Sequence, residues 1–402
     1  MPEPWQRNQY VTVATVFVVF TGFAFVLPFL PLFVRELGVV DAEKAALWAG
    51  VLIGVAPLLA GLLAPVWGRL ADRYGHKAMA LRALAAYVVL LALSAHVTNV
   101  GQLLALRIGV GLFGGIGPLG LAMATAHAPR DQTGRAVGLV QAAQILSAAV
   151  GPFVGGALAD IVGFRATFLV TACACGFAFL LVLLLYDERS RPGAEASAGR
   201  HARFADALRL PGVGGLLAIL FLVNFIGRSF TPILPMQLAE LGVPASRLSL
   251  TTGLLISLYS IAAALSAAGL GRMSRLYPPS RLLVLSLAGG AVTVLPMGLV
   301  ERFLPMLLCA VLLGLASGGA LTLCYTIGGL AVPQESRGSA FGFFSAAALF
   351  GGALSPSVAG LLAHLGLRSI YWVNAALFVL LAIAVALRHA PRPATIRGTE
   401  RA

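Results

Sequence analysis

The chain has 402 residues, 59% of them hydrophobic and only 11% charged, with a mean hydropathy of +0.92. A soluble domain carries about 25% charged residues and cannot hide this much apolar side chain in one core, so lipid must solvate most of the surface. The formal charge of +13 is spread along arginines that stand singly or in small groups between apolar runs, which excludes a nucleic-acid-binding stripe and reads as a topology signal.

A membrane-crossing helix needs about 20 mostly apolar residues. Met1 to Gln9 is short and polar, and the apolar run after it is too long for a signal peptide, so a retained first helix is expected over 9–33. Further helices are expected over 45–67, 78–97, 100–127, 134–159 and 164–186. Asp187 to Arg209 is polar and reads as a central loop between a unit at 1–186 and a unit at 210–388. The second unit supplies 210–237, 248–271, 281–300, 303–330, 337–363 and 368–388, before a tail at 389–402. The expected fold class is all-α and polytopic, with twelve transmembrane helices in two six-helix bundles.

Arginine bias orients such a protein. Twenty basic residues, among them Arg7, Arg69, Arg73, Lys77, Arg82, Arg135, Arg189 and Arg272, fall on the side of the termini and central loop. Six fall on the other: Arg35, Lys44, Arg165, Arg247, Arg302 and Arg368. The termini are therefore expected in the cytoplasm.

The halves repeat each other at an offset of 204 residues. Pro28, Pro31, Glu36, Leu37, Gly38 and Val39 return as Pro232, Pro235, Glu240, Leu241, Gly242 and Val243. Pro129, Gly134, Gly138, Pro152, Val154 and Gly156 return as Pro333, Gly338, Gly342, Pro356, Val358 and Gly360. Two repeated bundles are the pattern of a carrier that rocks about a site between them.

Two motifs carry a family resemblance. Gly68, Leu70, Asp72, Arg73, Gly75 and Lys77 lie in the loop after the second helix and are similar to motif A of the major facilitator superfamily. Glycines there allow a tight turn, and Asp72 could approach the positive end of a neighbouring helix; the resemblance implies a latch for one of two alternating states. The second-half counterpart keeps Gly271, Arg272 and Tyr277 but has Arg275 in place of the aspartate. In the fifth helix, Gly138, Ser147, Gly151, Pro152, Gly155 and Gly156 resemble motif C, which the superfamily's antiporters carry. Small residues at this spacing give a smooth face for close packing, and Pro152 a kink. The whole pattern resembles the twelve-helix drug–proton antiporters, which include tetracycline and multidrug exporters. The resemblance implies a monomer in the bacterial inner membrane, with proton as coupling ion.

Two charges fall inside helices, Arg107 and Arg228, and a charge at the bilayer centre costs at least about 2.5–3.5 kcal/mol. Arg107 is similar to the motif B arginine, which the resemblance links to proton transfer; its other reading is snorkelling toward the interface. Arg228 and Asn224 share a helix face. They either face a cavity, with Arg228 drawing an anionic or strongly dipolar substrate, or Arg228 bonds carbonyl oxygens at the kink near Pro232. Gln141 and Gln144, with Tyr259, Tyr325 and Thr326, are further cavity candidates, and Phe25, Phe29 and Phe344 could add an apolar wall.

Proton antiport usually relies on a carboxylate at mid-membrane, and none of the fifteen acidic residues lies there. His127 is a possible titrating group at a helix boundary. Cys173, Cys175, Cys309 and Cys324 all lie in apolar runs and read as small hydrophobes, so no metal site and no cofactor are expected. Gly115, Gly117 and Gly120 mimic a dinucleotide fingerprint but follow no strand. The expected function is export of a small molecule, a drug or metabolite, by alternating access. The alternatives are a facilitator, importer or lipid flippase on the same scaffold, and, remotely, a membrane enzyme or sensor.

Overall fold

The computed structural model describes residues 4–126, 128–129, 132–188, 213–331 and 337–389, and every regular element among them is helical. The first crossing is α1 (Pro4–Val26) and α2 (Leu30–Glu36), joined through one 3-10 turn at Leu27–Phe29. Pro28 and Pro31 cannot donate backbone hydrogen bonds, which interrupts the helix there. The second is α3 (Ala42–Tyr74), started by the Asp41 side chain accepting from the Lys44 amide, and the third is α4 (His76–Ser94). Between them Gly75 takes φ 94°, a conformation few other residues tolerate, so the tight turn expected of motif A is present.

The fourth crossing is α5 (Val100–Phe113) and α6 (Ile116–Ala126). The fifth and sixth form one element, α7 (Thr133–Leu185), which bends at Gly163. The second half follows the same plan: α8 (Val213–Arg228) and α9 (Leu234–Glu240), then α10 (Leu248–Met273) and α11 (Pro279–Met297). After them come α12 (Phe303–Ser317) with α13 (Ala320–Ala331), α14 (Arg337–Leu362) and α15 (Ser369–His389). Ten helices are long and apolar enough to cross a membrane. Gly163 divides the longest, and the shorter helix Gly214–Arg228, continued by α9, makes the seventh crossing, so the described residues cross twelve times. Helix ends differ from the sequence expectation chiefly in α3, which runs to Tyr74 instead of stopping at 67.

The two bundles meet along two seams at one end of the molecule. At the first, α7 crosses α10: a side-chain carbon on Gly253 would stand 2.0 Å from the Pro152 carbonyl oxygen, and one on Gly156 2.4 Å from that of Ser249. At the second, α3 crosses α14 at Gly50, where such a carbon would stand 2.1 Å from the Pro356 carbonyl oxygen. Contacts this close require residues without a Cβ. Toward the other end the packing thins. The buried residues of α3 lie between Ala45 and Ala56, with Ala71 the sole one beyond, and α10 has none past Ser266. That second end carries the motif A turn and the start of α1, where Asn8 bonds the backbone of Asp187 and Gln9 donates to the Ala136 carbonyl. The described halves are therefore closed at one end and splayed at the motif A end.

Candidate functional site

Arg228 ends α8, near the middle of the seventh crossing, and Asn224 stands one turn before it. Both approach Gly352 of α14, where an added side-chain carbon would lie 3.5 Å from Cγ of Arg228 and 3.9 Å from Oδ1 of Asn224. Tyr259 of α10 faces Arg228 and lies within hydrogen-bonding reach of Ser317. Three helices of the second half thus converge on one guanidinium, which is accessible to solvent. No hydrogen bond from the side chain of Arg228 or Asn224 joins them to another described residue, and no carbonyl near Pro232 binds the guanidinium. Gln141 and Gln144 on α7 are likewise accessible, with amides that have no partner among the described residues. Tyr325 is half-buried on α13 and within hydrogen-bonding reach of Ser345; Thr326 turns its hydroxyl back to the Thr322 carbonyl.

The aromatic wall expected of Phe25, Phe29 and Phe344 is corrected in two of its three members. Phe29 is 1% exposed, and Phe344 is fully buried against Gly328 and Leu216. Phe344 fills a gap between helices of the second half, because a large apolar ring next to a glycine is drawn into packing before it can line a wet cleft. Phe25 remains partly exposed, with its backbone pressed on Gly155. An open cleft of about 470 Å³ at the closed end, lined by Arg35, Asp160, Phe164 and Ser246, contains none of these residues.

The motif C face works on two sides. Gly151 and Gly155 admit Ala24 and Phe25 of α1, while Gly156 admits α10 across the seam. Ser147 does more than stand in for a glycine: its hydroxyl donates to the Phe17 carbonyl at 3.0 Å and accepts from Thr21 at the same distance. Gly138 has open space around it.

In motif A, Asp72 and Arg73 are exposed, and Asp72 reaches no helix start among the described residues. The anion at a helix start is Glu188 instead. Its carboxylate accepts from the amides of His76 at 2.6 Å and Lys77 at 3.1 Å, and Lys77 Nζ donates to the Tyr186 carbonyl at 2.7 Å. Those amides are the unpaired first donors of α4, where a negative charge is favoured by the helix dipole. Gly68 has open space on all sides, and Leu70 is half-buried.

Arg107 on α5 is 2% exposed, so it does not snorkel. Its guanidinium carbon lies 5.9 Å from the Phe168 ring centre, and Nε and Nη2 have no partner. No group of three or more His, Cys, Asp or Glu among the described residues could hold a metal. His127, Arg130, Arg189 and most of the central loop lie outside the described residues, as does the tail beyond His389.

The sequence matches the Major Facilitator Superfamily over residues 12–250 and 216–402, two overlapping stretches that span nearly the whole chain. The chain belongs to this superfamily. It is similar to the "Multidrug resistance protein MdtG" of Dickeya zeae, 30% identical over 381 residues that cover 94% of this chain and 93% of that one. The protein of the same name from Proteus mirabilis is 29% identical over 377 residues, covering 92% and 93%. Among solved structures, a bacterial homolog of the human lysosomal transporter Spinster, inward-facing and occupied, superposes with a TM-score of 0.77 at 15% identity over 96% of this chain and 97% of that one. The human organic anion transporter MFSD10 does so with 0.67 at 17% identity over 96% and 100%. This facilitator is therefore a multi-pass membrane protein and a secondary active transporter, not an enzyme.

Within this facilitator, the structure brings together Arg228, Asn224 and Tyr259, and brings Gly151, Pro152, Gly155 and Gly156 into the helix contacts of α7. Sequence reasoning missed Gly352, Glu188 and Asp160. Gly352 follows another glycine in a helix that repeats motif C, a signal the offset of 204 carries, since it returns Ala148 as Gly352. Glu188 had no local signal, because what it binds begins 112 residues earlier.

Proposed function

We propose that this transporter exports amphipathic organic anions from the cytoplasm by alternating access, in exchange for protons. The reading rests on one observation: Arg228 is a solvent-accessible cation deep in the bundle, with no carboxylate on the described spans around it. A substrate carrying a carboxylate, sulfonate or phosphonate would supply the charge that the protein withholds, through hydrogen bonds of the charge-assisted kind. Asn224, Gln141 and Gln144 offer amides to polar groups of the cargo, Tyr259 and Tyr325 offer hydroxyls, and Phe25 offers an apolar edge. Motif A, from Gly68 to Lys77, acts as the latch of the splayed end. Ser147, Gly151, Pro152, Gly155 and Gly156 let the halves pivot, and Gly138 extends that small-residue face.

The arginine distribution supports a cytoplasmic side for the termini and the splayed end; in this reading the described state is open inward and ready to load. Arg107 is the candidate proton-coupling residue, and the protein works as a monomer in the inner membrane. Everted vesicles with an acid lumen and carboxyfluorescein in the outer medium test this reading. Uptake is expected in vesicles containing the protein, to stop on adding an uncoupler, and to fall at least tenfold in Arg228→Ala with part returned in Arg228→Lys. Uptake that ignores the uncoupler removes proton exchange. Equal uptake of anionic and cationic dyes by Arg228→Ala and the parent removes the anion preference.

A further inference from the structure

The fourth crossing is parted at Gly114 and Gly115, and the tenth is parted 204 residues later, between Ser317 and Ala320. A parted helix leaves carbonyls and amides without helical partners, and inside a membrane the protein itself must satisfy them. In the first half three side chains do so. Trp67 Nε1 donates to the Leu112 carbonyl at 3.0 Å, Arg82 Nη2 to the Gly114 carbonyl at 3.4 Å, and the Gly115 amide donates to the Tyr87 hydroxyl at 3.1 Å. Arg82 also stacks on Trp67, its guanidinium carbon 3.4 Å from the ring centre.

The second half meets the same need from the same two helices, with hydroxyls alone. Ser286 of α11 donates to the Ala316 carbonyl at 2.7 Å, and Ser266 of α10 accepts from the Gly319 amide at 3.2 Å. Among the described residues, only the first half uses a cation on an indole for the purpose. Arg82 does not behave as a surface charge marking topology: its Nε and Nη1 are buried and lack partners.

The position of this clasp in the sequence gives it a second meaning. Trp67 immediately precedes Gly68, and Arg82 lies five residues past Lys77, so the two side chains bracket the motif A segment. The joint they hold is set, not loose. A side-chain carbon on Gly114 would stand 2.5 Å from the Tyr87 hydroxyl, and Gly115 takes φ 113°. We propose that Trp67 and Arg82 are positioning residues that tie the motif A segment to the break in the fourth crossing. When the halves rock, α6 and the last residues of α5 move with segment 68–77, while the start of α5 stays with the closed end. The gate at the splayed end then advances on α6, and α13, held by two serine hydroxyls, follows it less tightly. The inference rests on the alternating-access reading but needs no knowledge of the cargo.

Ala126 ends α6, Leu330 stands at the matching place in α13, and both are exposed. Spin labels on cysteines at these two positions, with Cys173, Cys175, Cys309 and Cys324 replaced, report the distance between the two half-helices in nanodiscs. Arg82→Gln is expected to broaden that distribution about twofold and to cut carboxyfluorescein turnover at least fivefold, with KM within twofold of the parent. Arg82→Lys, which restores the charge over the indole, should recover part of both. Trp67→Phe keeps a smaller aromatic ring under Arg82 and loses the donor to Leu112, and should broaden the distribution to an intermediate width. An unchanged distribution in Arg82→Gln and Trp67→Phe overturns the clasp, and so does a broadened one with parental turnover. Should Arg82→Gln fail to insert, Trp67→Phe decides alone. A parent that moves no dye counts against the exporter reading, and the distances still decide the clasp.

Discussion

Asp160 caps a helix that belongs to the other half of the molecule: its Oδ2 accepts from the Leu250 amide at 2.9 Å and its Oδ1 from the Ser249 amide at 3.3 Å. An anion at a helix start contributes about 0.3–1 kcal/mol, and here that contribution exists only while the α7–α10 seam is shut. Asp160→Asn should therefore raise the share of molecules open at that end by about two- to fivefold. The rate at which a maleimide labels a cysteine placed at Ser357, on the companion seam, reads that share. No change in rate would show that the cap is decorative.

Gly253 is the tightest point of the same seam. Since an added methyl would stand 2.0 Å from the Pro152 carbonyl oxygen, Gly253→Ala should keep the halves apart there and lower transport more than tenfold while inserting normally. Gly61→Ala, on a helix that crosses the companion seam but with nothing within 4 Å of the new carbon, should transport at the parental rate. Equal behaviour of the two variants would mean that backbone contact does not shut the seam.

Arg107 offers a test of function against stability. Its charge is buried with two nitrogens unpartnered, at a cost of about 2.5–3.5 kcal/mol if it lies at the bilayer centre. Arg107→Met removes that cost at similar length. The thermal midpoint should rise, by roughly 2 °C or more, while transport falls at least tenfold. A variant that is less stable than the parent would make Arg107 a packing residue.

Asp41 predicts how the closed end responds to acid. The Lys44 amide, donating to its carboxylate, holds that carboxyl below its usual value. A lowered value means that the capping contribution is complete above the ordinary carboxylate range, near pH 4, and is lost as pH falls through the folded-state value. Thermal melts of the parent should weaken below about pH 4, and Asp41→Asn should flatten that limb of the curve. An identical acid limb in both proteins would rule Asp41 out as its source.

The fold was legible because its signals are long: apolar runs of about 20 residues, and a repeat that keeps Pro28 and Pro232 or Gly156 and Gly360 in register. Small-residue packing was legible for the same reason, since a missing Cβ has one main use in a helix contact. Polar partners were not. Glu188 binds residues 112 and 111 positions away, and Asp160 binds residues 89 and 90 away, so no local pattern announces either. Arg82 misled for a physical reason: counting arginines by side treats each as hydrated, and this one is stacked on Trp67. Phe29 and Phe344 misled in the opposite way, because an aromatic ring in an apolar helix carries no mark of whether it faces a neighbour or a cleft.

The two seams are made of backbone oxygens, Cα hydrogens and a few capping groups, with almost no side chains that must match one another by identity. Closure therefore places few demands on the pocket, and the pocket few on closure. A lineage built this way can alter the residues around Arg228 one at a time and acquire new cargo, while the hinge that moves it is inherited intact.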